Sequence, residues 1–225
     1  MANEQTRLKI LQVSIELFYE KGYDAVGVQE IADKCELTKP ALYYHFKNKS
    51  GILEGIMQQY IDPVVVKLRE VVNSSSSFED SLHNFAYCYV SEGCENLHLY
   101  LMLMTMQYSP PMSEFNNAFI RHCTEINNIV KSIFINARGL LGNMNGRENQ
   151  FATTFLGMIG FHMYEYHSEK EPKMDKSAVD MIIHQFLHGI YSWMEYYFWK
   201  TLLIVEFAQN MSQNLYVSFS KCIEL

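Results

Sequence analysis

The chain has 225 residues, of which 48% are hydrophobic, and it carries a net charge of −7. The apolar share is enough for a packed core and excludes a mostly disordered chain, and no apolar run approaches the roughly 20 residues that a membrane-spanning helix needs. The low counts of 11 glycines and 5 prolines argue against a turn-rich β fold and predict an all-α protein.

The charge distribution predicts a cationic segment, and the cysteine content predicts the cellular compartment. The first fifty residues are balanced in charge, and the stretch from Leu37 to Leu53 contains lysines but no acidic residue, so it forms a small cationic island. The five cysteines are odd in number and scattered, which fits a reducing compartment rather than a disulfide framework. Because the N-terminus does not have the pattern of a signal peptide, we predict a cytoplasmic protein.

The N-terminal region predicts three helices. Apolar residues recur at helical spacing from Leu8 to Phe18, and Gly22 ends this first amphipathic helix. A shorter pattern predicts a second helix from Val28 to Cys35. Thr38 as a cap and a proline in the first turn predict a third helix from about Lys39 to Phe46.

Helical periodicity continues along the rest of the chain. Asn48 caps a fourth helix that reaches at least Ile61, where Pro63 is expected to kink or end it, and the serine-rich stretch 73–77 reads as a loop. Further helices are predicted to begin near Phe78, Leu97, Phe115, Asn149 and Lys176, and the last segment to Leu225 is also predicted to be helical.

The second and third helices form the arrangement that inserts a helix into the major groove of DNA. Two short helices across a tight turn, supported by a longer first helix, are the scaffold for such a reading helix. Lys39, Tyr43, Tyr44 and His45 cluster on its start and outer face, where hydroxyls and cations suit phosphates. This cluster predicts DNA binding.

The same residues resemble a known family. The segment from Gln29 to Leu53, QEIADKCELTKPALYYHFKNKSGIL, resembles the DNA-binding signature of TetR-type transcriptional regulators, and Leu17 to Tyr23 resembles the stretch before it. The resemblance implies a helix-turn-helix DNA-binding domain, residues 1–50, joined through the fourth helix to a larger helical effector-binding and dimerisation domain, residues 51–225. It also implies a homodimer, an operator of two half-sites, and release of the DNA by a small effector.

The family pattern assigns DNA contacts, with Lys49 expected at a phosphate. Two positions depart from it: Gly27 replaces the hydroxyl residue that often caps the second helix, and Glu36 stands in the turn where glycine is common. A residue other than glycine at positive φ costs about 1 kcal/mol, so a strained or reshaped turn is expected. The candidate DNA-binding residues are Val28, Gln29, Thr38, Lys39, Ala41, Tyr43, Tyr44, His45 and Lys49.

The region after the fourth helix is rich in methionine and aromatic residues. Thioethers and aromatic faces suit an adaptable apolar pocket with a few orienting polar groups, although the same stripes suit an ordinary helical core. The candidate ligand-binding residues are Tyr89, Met102, Met106, Phe119, His122, Met158 and His162.

The late helices are expected to form the dimer. Glycines on them allow close helix approach, and the family resemblance places a four-helix dimer interface there. The candidate interface residues are Gly157, Gly160, Phe161, Phe186, Gly189, Ile190 and Trp193.

The patterns predict a DNA-binding protein with an apolar pocket, and the family resemblance implies a ligand-responsive regulator, specifically a repressor released from a palindromic operator by a small, largely apolar or aromatic effector. One alternative is a constitutive regulator without effector. Another is a redox or metal sensor, and the redox possibility rests on Cys123. His83, Cys88, Cys94 and His98 lack standard zinc spacing, so neither a metal site nor a cofactor is predicted. The chain has no nucleophile elbow, phosphate-binding glycine loop or metalloprotease helix, and an enzyme is not expected.

Overall fold

The computed structural model describes residues 2–141, 146–168 and 174–189. These residues form helices joined by turns, in agreement with the predicted all-α class. Residues Met1–Ile182 belong to one compact unit, and a second unit begins at Ile183. The elements are α1 (Ala2–Lys21), α2 (Val28–Lys34), α3 (Lys39–His45), α4 (Lys49–Ile56), a π-helical turn (Met57–Ile61), α5 (Asp62–Asn73), α6 (Phe78–Glu95), α7 (Leu97–Gln107), α8 (Glu114–Asn136), α9 (Glu148–Ser168) and α10 (Lys176–His188).

Local capping interactions define the N-terminal helices, as the sequence predicts. Gly22 ends α1 at a φ of 82°, a conformation that glycine adopts readily. The Thr38 hydroxyl accepts a hydrogen bond from the Ala41 N–H at 3.3 Å and caps α3. The Asn48 side chain accepts one from the Gly51 N–H at 2.7 Å and caps α4.

The first four helices share an apolar core. α1 packs against α2 and α4, and α2 packs against α3. Leu11, Leu42 and other apolar side chains are fully buried there. A Cβ atom at Gly55 of α4 would lie 2.7 Å from the Phe46 ring and 3.1 Å from Leu11, so only glycine allows α4 to approach this closely.

The helical stretch does not stop at Pro63 but is distorted just before it, as the expected kink predicts. The helical stretch continues from Lys49 through the π-helical turn to Asn73. A proline lacks the amide donor and its ring collides with the carbonyl four residues earlier, here that of Gln59. Gln59 lies in the π-helical turn, where hydrogen bonds run to the fifth residue, so the distortion is absorbed just before the proline.

The larger part of the chain packs around this helical stretch, residues 49–73, which we call the linking stretch. α5 contacts α6 and α8, α8 packs along α9, and Phe85, Phe134 and Phe155 are fully buried. The loop predicted at 73–77 separates α5 from α6, and the Ser77 hydroxyl caps α6 by accepting from the Asp80 N–H at 3.0 Å. None of the described helices combines the length and apolar character needed to cross a membrane.

Candidate DNA-binding surface and ligand cavity

α3 presents an exposed aromatic and cationic face. Leu42 points into the core, whereas Tyr43 and Tyr44 are 41% and 78% exposed. The Lys39 ammonium lies 5.9 Å from the centre of the Tyr43 ring, and the Tyr44 ring meets His45 edge-on at 5.4 Å. The side chains that the sequence places on the outer face of the reading helix are therefore available to a partner.

The other candidates on α2 and at the start of α3 have mixed exposure. Gln29 is exposed, and its amide donates a hydrogen bond to Asp33 at 2.8 Å along α2. Thr38 is exposed but its hydroxyl serves the cap, while Val28 and Ala41 are half-buried. All lie on α2, on α3 or at the cap between them, as the sequence predicts.

Lys49 has a structural role that the sequence does not reveal. Its ammonium donates to the Tyr23 carbonyl at 2.9 Å and to the Val26 carbonyl at 3.2 Å, and it lies 4.2 Å from the centre of the Tyr23 ring. An ammonium has three N–H donors, so one remains for the phosphate contact that the family pattern predicts. The lysine first ties α4 to the loop after α1.

Both departures from the family pattern are visible in the backbone. Glu36 adopts a φ of 60°, the left-handed conformation expected from its place in the turn, and its carboxylate lies 3.6 Å from the Lys9 ammonium. Gly27 precedes α2 without a side-chain cap. The turn is therefore strained at one position, and α2 lacks a hydroxyl cap.

A cavity of about 70 Å³ lies between the linking stretch and α6, α7 and α8. Three of the seven candidate ligand-binding residues, Tyr89, Phe119 and His122, line it. The other lining residues were not predicted: most belong to apolar helical stripes, and Glu92, Gly93 and Asn96 carry no such signal. The full set of these other lining residues is Tyr60, Ile61, Val64, Glu92, Gly93, Asn96, Leu99, Tyr100, Leu103, Met104, Cys123 and Ile126.

The remaining four candidates do not line this cavity. Met102 and Met106 are fully buried on the other side of α7, Met158 is half-buried, and His162 pairs with Glu165 at 3.5 Å. Because α7 is apolar on nearly every side, periodicity alone does not identify the face that borders the cavity.

His122 is the unusual polar residue of the cavity wall. Its side chain is 9% exposed, and its Nδ1 lies 3.3 Å from the Asp62 carboxylate. Its Nε2 atom is buried and has no hydrogen-bond partner among the protein groups that the structure describes. Burial lowers the pKa of His122 and outweighs the opposing effect of Asp62, so the ring is neutral at pH 7.

Burial also controls the other titratable groups of the wall. It raises the pKa of Tyr89 and of Tyr100, and it raises the pKa of the Cys123 thiol to about 12. A thiol with so high a pKa is not a thiolate at neutral pH and reacts slowly with oxidants. This weakens the redox alternative that rests on Cys123.

Two consecutive residues of α8 hold the linking stretch on both sides of the π-helical turn. The Arg121 guanidinium donates to both carboxylate oxygens of Glu54 on α4, each at 3.1 Å. The adjacent His122 contacts Asp62 at the start of α5. These two contacts join the cavity wall to the helical stretch that enters the N-terminal bundle.

The N-terminal helices also contact the larger region through Tyr23 and His98. The Tyr23 hydroxyl donates to Glu114 of α8 at 3.2 Å, and its ring stacks on Phe115 with centres 4.8 Å apart. His98 of α7 lies 2.6 Å from the Glu16 carboxylate and stacks on Tyr19 of α1.

The histidines and cysteines considered for a metal are dispersed. His83 pairs with Asp180 at 3.0 Å, and His98 is paired as described above. Within the described ranges, no three His, Cys, Asp or Glu side chains are placed so that they could hold a metal ion.

The candidate dimer residues on α9 separate into two faces. Phe161 is 62% exposed, and Gly157, one turn earlier, faces open space among the described residues. Gly160 instead faces the core, where its carbonyl accepts a hydrogen bond from the Tyr100 hydroxyl at 3.0 Å. Of the later candidates, Phe186 is half-buried, Gly189 is exposed, and Ile190 and Trp193 lie outside the described residues.

Comparison with known proteins identifies the N-terminal region. The family model of bacterial regulatory proteins, tetR family, matches residues 10–56. The HTH-type transcriptional activator FasR of Mycolicibacterium smegmatis is 30% identical over 76 residues, which are 34% of this chain and 35% of FasR. Matches to FasR and two other curated proteins cover only 22% to 42% of those proteins' lengths.

Solved structures extend the likeness in fold. The regulator FadR from Bacillus subtilis, in complex with stearoyl-CoA, has a TM-score of 0.67 at 15% identity, covering 82% of this chain and 99% of FadR. AibR, in complex with isovaleryl coenzyme A and operator DNA, has a TM-score of 0.65 at 20% identity, covering 79% of this chain and 96% of AibR. At such identities the likeness concerns the fold. The comparisons therefore show an N-terminal segment, residues 10–56, similar to that of the tetR family, on a fold shared with these solved regulators.

Proposed function

We propose that the chain is a homodimeric transcriptional repressor that binds a palindromic operator through α3 and leaves it when a small, largely apolar or aromatic effector enters the cavity. Residues 1–50 form the DNA-binding domain and residues 51–225 the effector-binding and dimerisation domain. One observation carries the proposal: the linking stretch packs against the N-terminal core through Gly55 and lines the cavity through Tyr60.

The exposed face of α3 supports the DNA-binding part. Lys39 supplies a cation, Tyr43 and Tyr44 supply hydroxyls, and the N-terminus of the helix adds partial positive charge. Two copies of this short helix are needed because each one reaches only a few base pairs.

The size of the cavity means that a ligand can enter only if the wall moves. At about 70 Å³ it is smaller than the engineered cavity of about 150 Å³ that admits benzene. An effector of that size or larger therefore moves a wall. Tyr60 and Ile61 belong to the π-helical turn, where the α-helical hydrogen-bond pattern is already broken, so we expect the movement there.

The effector changes DNA binding only if it prefers one arrangement of the dimer. Shifting the population from 1:99 to 99:1 requires about 5.5 kcal/mol of differential affinity. FadR is bound to stearoyl-CoA and AibR to isovaleryl coenzyme A, which makes acyl-CoA thioesters of two sizes the first compounds to test on this chain.

Fluorescence anisotropy with the DNA upstream of the chain's own gene tests the proposal. We expect sequence-selective binding whose logarithmic salt dependence has a slope of about −0.9 per phosphate contacted. Lys39→Ala weakens binding, and if the lysine contacts a phosphate the slope falls by about 1. Lys131→Ala removes a lysine on α8 and leaves both quantities unchanged. Binding that is neither salt-sensitive nor sequence-selective rejects the proposal.

Stearoyl-CoA and isovaleryl-CoA are then added to the preformed complex. Release of the DNA by either compound supports effector control, and a reporter gene decides between repression and activation. The activator FasR, a relative over the N-terminal segment, makes this second measurement necessary.

The dimer part rests on the exposed stripe of α9. Gly157, Phe161 and Tyr164 are exposed at the spacing of one helix face, and an apolar face of this kind is typical of an interface. We expect Phe161→Glu to convert the dimer to monomer in sedimentation equilibrium. Ile120→Glu changes an equally exposed apolar residue on α8 and leaves the dimer intact. A wild-type monomer at all concentrations contradicts this part.

A constitutive regulator without effector is the second candidate, and the small volume of the cavity favours it. It predicts DNA binding that no compound alters and no compound that binds the free protein. Titration of the free protein therefore separates the two candidates.

A further inference from the structure

The polar groups around the cavity differ in whether they are already used. The Glu92 carboxylate is paired with the Lys67 ammonium, and the Tyr100 hydroxyl donates to the Gly160 carbonyl. The Nε2 atom of His122 is the buried side-chain nitrogen or oxygen left without a protein partner in the described part of the chain. Because His122 lines the cavity, a ligand that displaces the wall can reach this unpartnered atom.

The partner on the other side of the ring decides what that position can bind. The Asp62 carboxylate lies 3.3 Å from Nδ1 and only accepts hydrogen bonds, so it favours the neutral tautomer with the proton on Nδ1. Nε2 then carries a lone pair. It accepts a hydrogen bond and has no proton to donate.

The following inference rests on the proposed ligand-responsive function. We propose that the cavity takes a neutral hydroxyl compound, an alcohol or phenol with a mostly apolar body, and that His122 Nε2 accepts the hydrogen bond of its hydroxyl group. An ether of the same shape has no donor for Nε2. A carboxylate finds no donor there and brings a negative charge into an apolar space.

The charges around His122 agree with this choice. Asp62, Glu54 and Glu125 are acidic, and Arg121 is the basic neighbour, already bound to Glu54. The other titratable groups that border the cavity are the three tyrosines, Cys123 and the paired Glu92. An anionic ligand therefore meets more negative than positive charge.

Three probes of one shape test the inference: para-cresol, para-methylanisole and para-toluate. Dissociation constants are measured on the free protein by NMR titration at about pH 7.5, where His122 is neutral. A single hydrogen bond of about 0.5–1.5 kcal/mol corresponds to roughly two- to twelvefold, so we expect para-cresol to bind about two- to twelvefold more tightly than para-methylanisole. We expect para-toluate to bind more weakly than para-cresol.

Two variants assign the preference to one atom. His122→Asn keeps an amide that can donate to Asp62 but removes the acceptor at Nε2, so the ratio between para-cresol and para-methylanisole falls to about 1. His83→Asn makes the same change at a histidine of α6 that does not line the cavity, and it leaves the ratio unchanged. Circular dichroism verifies that both variants are folded.

The pH dependence of the wild type provides a test that needs no variant. As the pH falls through the pKa of His122, Nε2 gains a proton and its acceptor is lost, so the affinity for para-cresol declines toward that for para-methylanisole. Equal binding of the two compounds at about pH 7.5, tighter binding of para-toluate, or no binding of any probe overturns the inference. Since no DNA is present, these outcomes are separate from those of the operator experiment.

Discussion

The N-terminal helices and the cavity wall differ in whether a buried polar group has a hydrogen-bond partner. Near the N-terminus, the buried Ser14 hydroxyl donates to the Ile10 carbonyl at 2.7 Å, and the Lys49 ammonium donates to two backbone carbonyls. At the cavity, His122 keeps a buried nitrogen without a protein partner in the described residues. Satisfied groups favour one rigid arrangement, whereas an unsatisfied group leaves binding free energy for a ligand.

The largest change in the free energy of unfolding is expected at Lys49, which has several partners in the N-terminal region. Lys49→Met removes the bonds to the Tyr23 and Val26 carbonyls and the contact with the Tyr23 ring. We expect the free energy of unfolding to fall by about 2–3 kcal/mol, as measured by urea denaturation. Lys47→Met, a change at an exposed neighbour, stays within about 0.5 kcal/mol of the wild type. Equal losses of unfolding free energy in the two variants would contradict the structural role of Lys49.

A smaller change is expected at His122 in the cavity wall, where a substitution stabilises the protein. His122→Leu removes the unsatisfied nitrogen, so the free energy of unfolding rises by about 1 kcal/mol at neutral pH. Thermal unfolding measures the change, and a variant less stable than the wild type contradicts it.

The pH dependence sharpens this comparison. Burial lowers the pKa of His122 in the folded protein, whereas the unfolded chain takes up a proton near its ordinary value of about 6.5. This residue's contribution is present above that value and is lost as the pH falls toward the folded pKa. The advantage of His122→Leu therefore grows between about pH 7.5 and about pH 5.5. A constant difference over this range excludes a lowered pKa.

The smallest effect concerns the strained turn in the otherwise well-satisfied N-terminal region. Glu36 has a φ of 60°, and its exposed pair with Lys9 contributes little. Glu36→Gly relieves the strain and raises the free energy of unfolding by about 0.5–1 kcal/mol in urea denaturation. Glu36→Ala loses the same ion pair but keeps the unfavourable φ, so it gains nothing. If both variants behave alike, the turn carries no strain.

Features that depend on neighbours within about four residues could be predicted from the amino-acid sequence. The caps at Thr38 and Asn48, the end of α1 at Gly22, the outward face of α3 and the unusual φ of Glu36 could all be predicted, because each is a local interaction between residues close in the chain. The same local signals identified the N-terminal family segment.

Only the tertiary structure decided which side chains meet across helices. The partners of Lys49 lie 23 and 26 residues away, and Asp62 lies on a different helix from His122. Apolar stripes look alike whether they border a cavity or fill a core, so the sequence did not indicate that Tyr60 and Tyr100 line the cavity while Met102 lies in the core. The physical reason is that helix packing, rather than helical periodicity, determines which buried polar atoms find a partner.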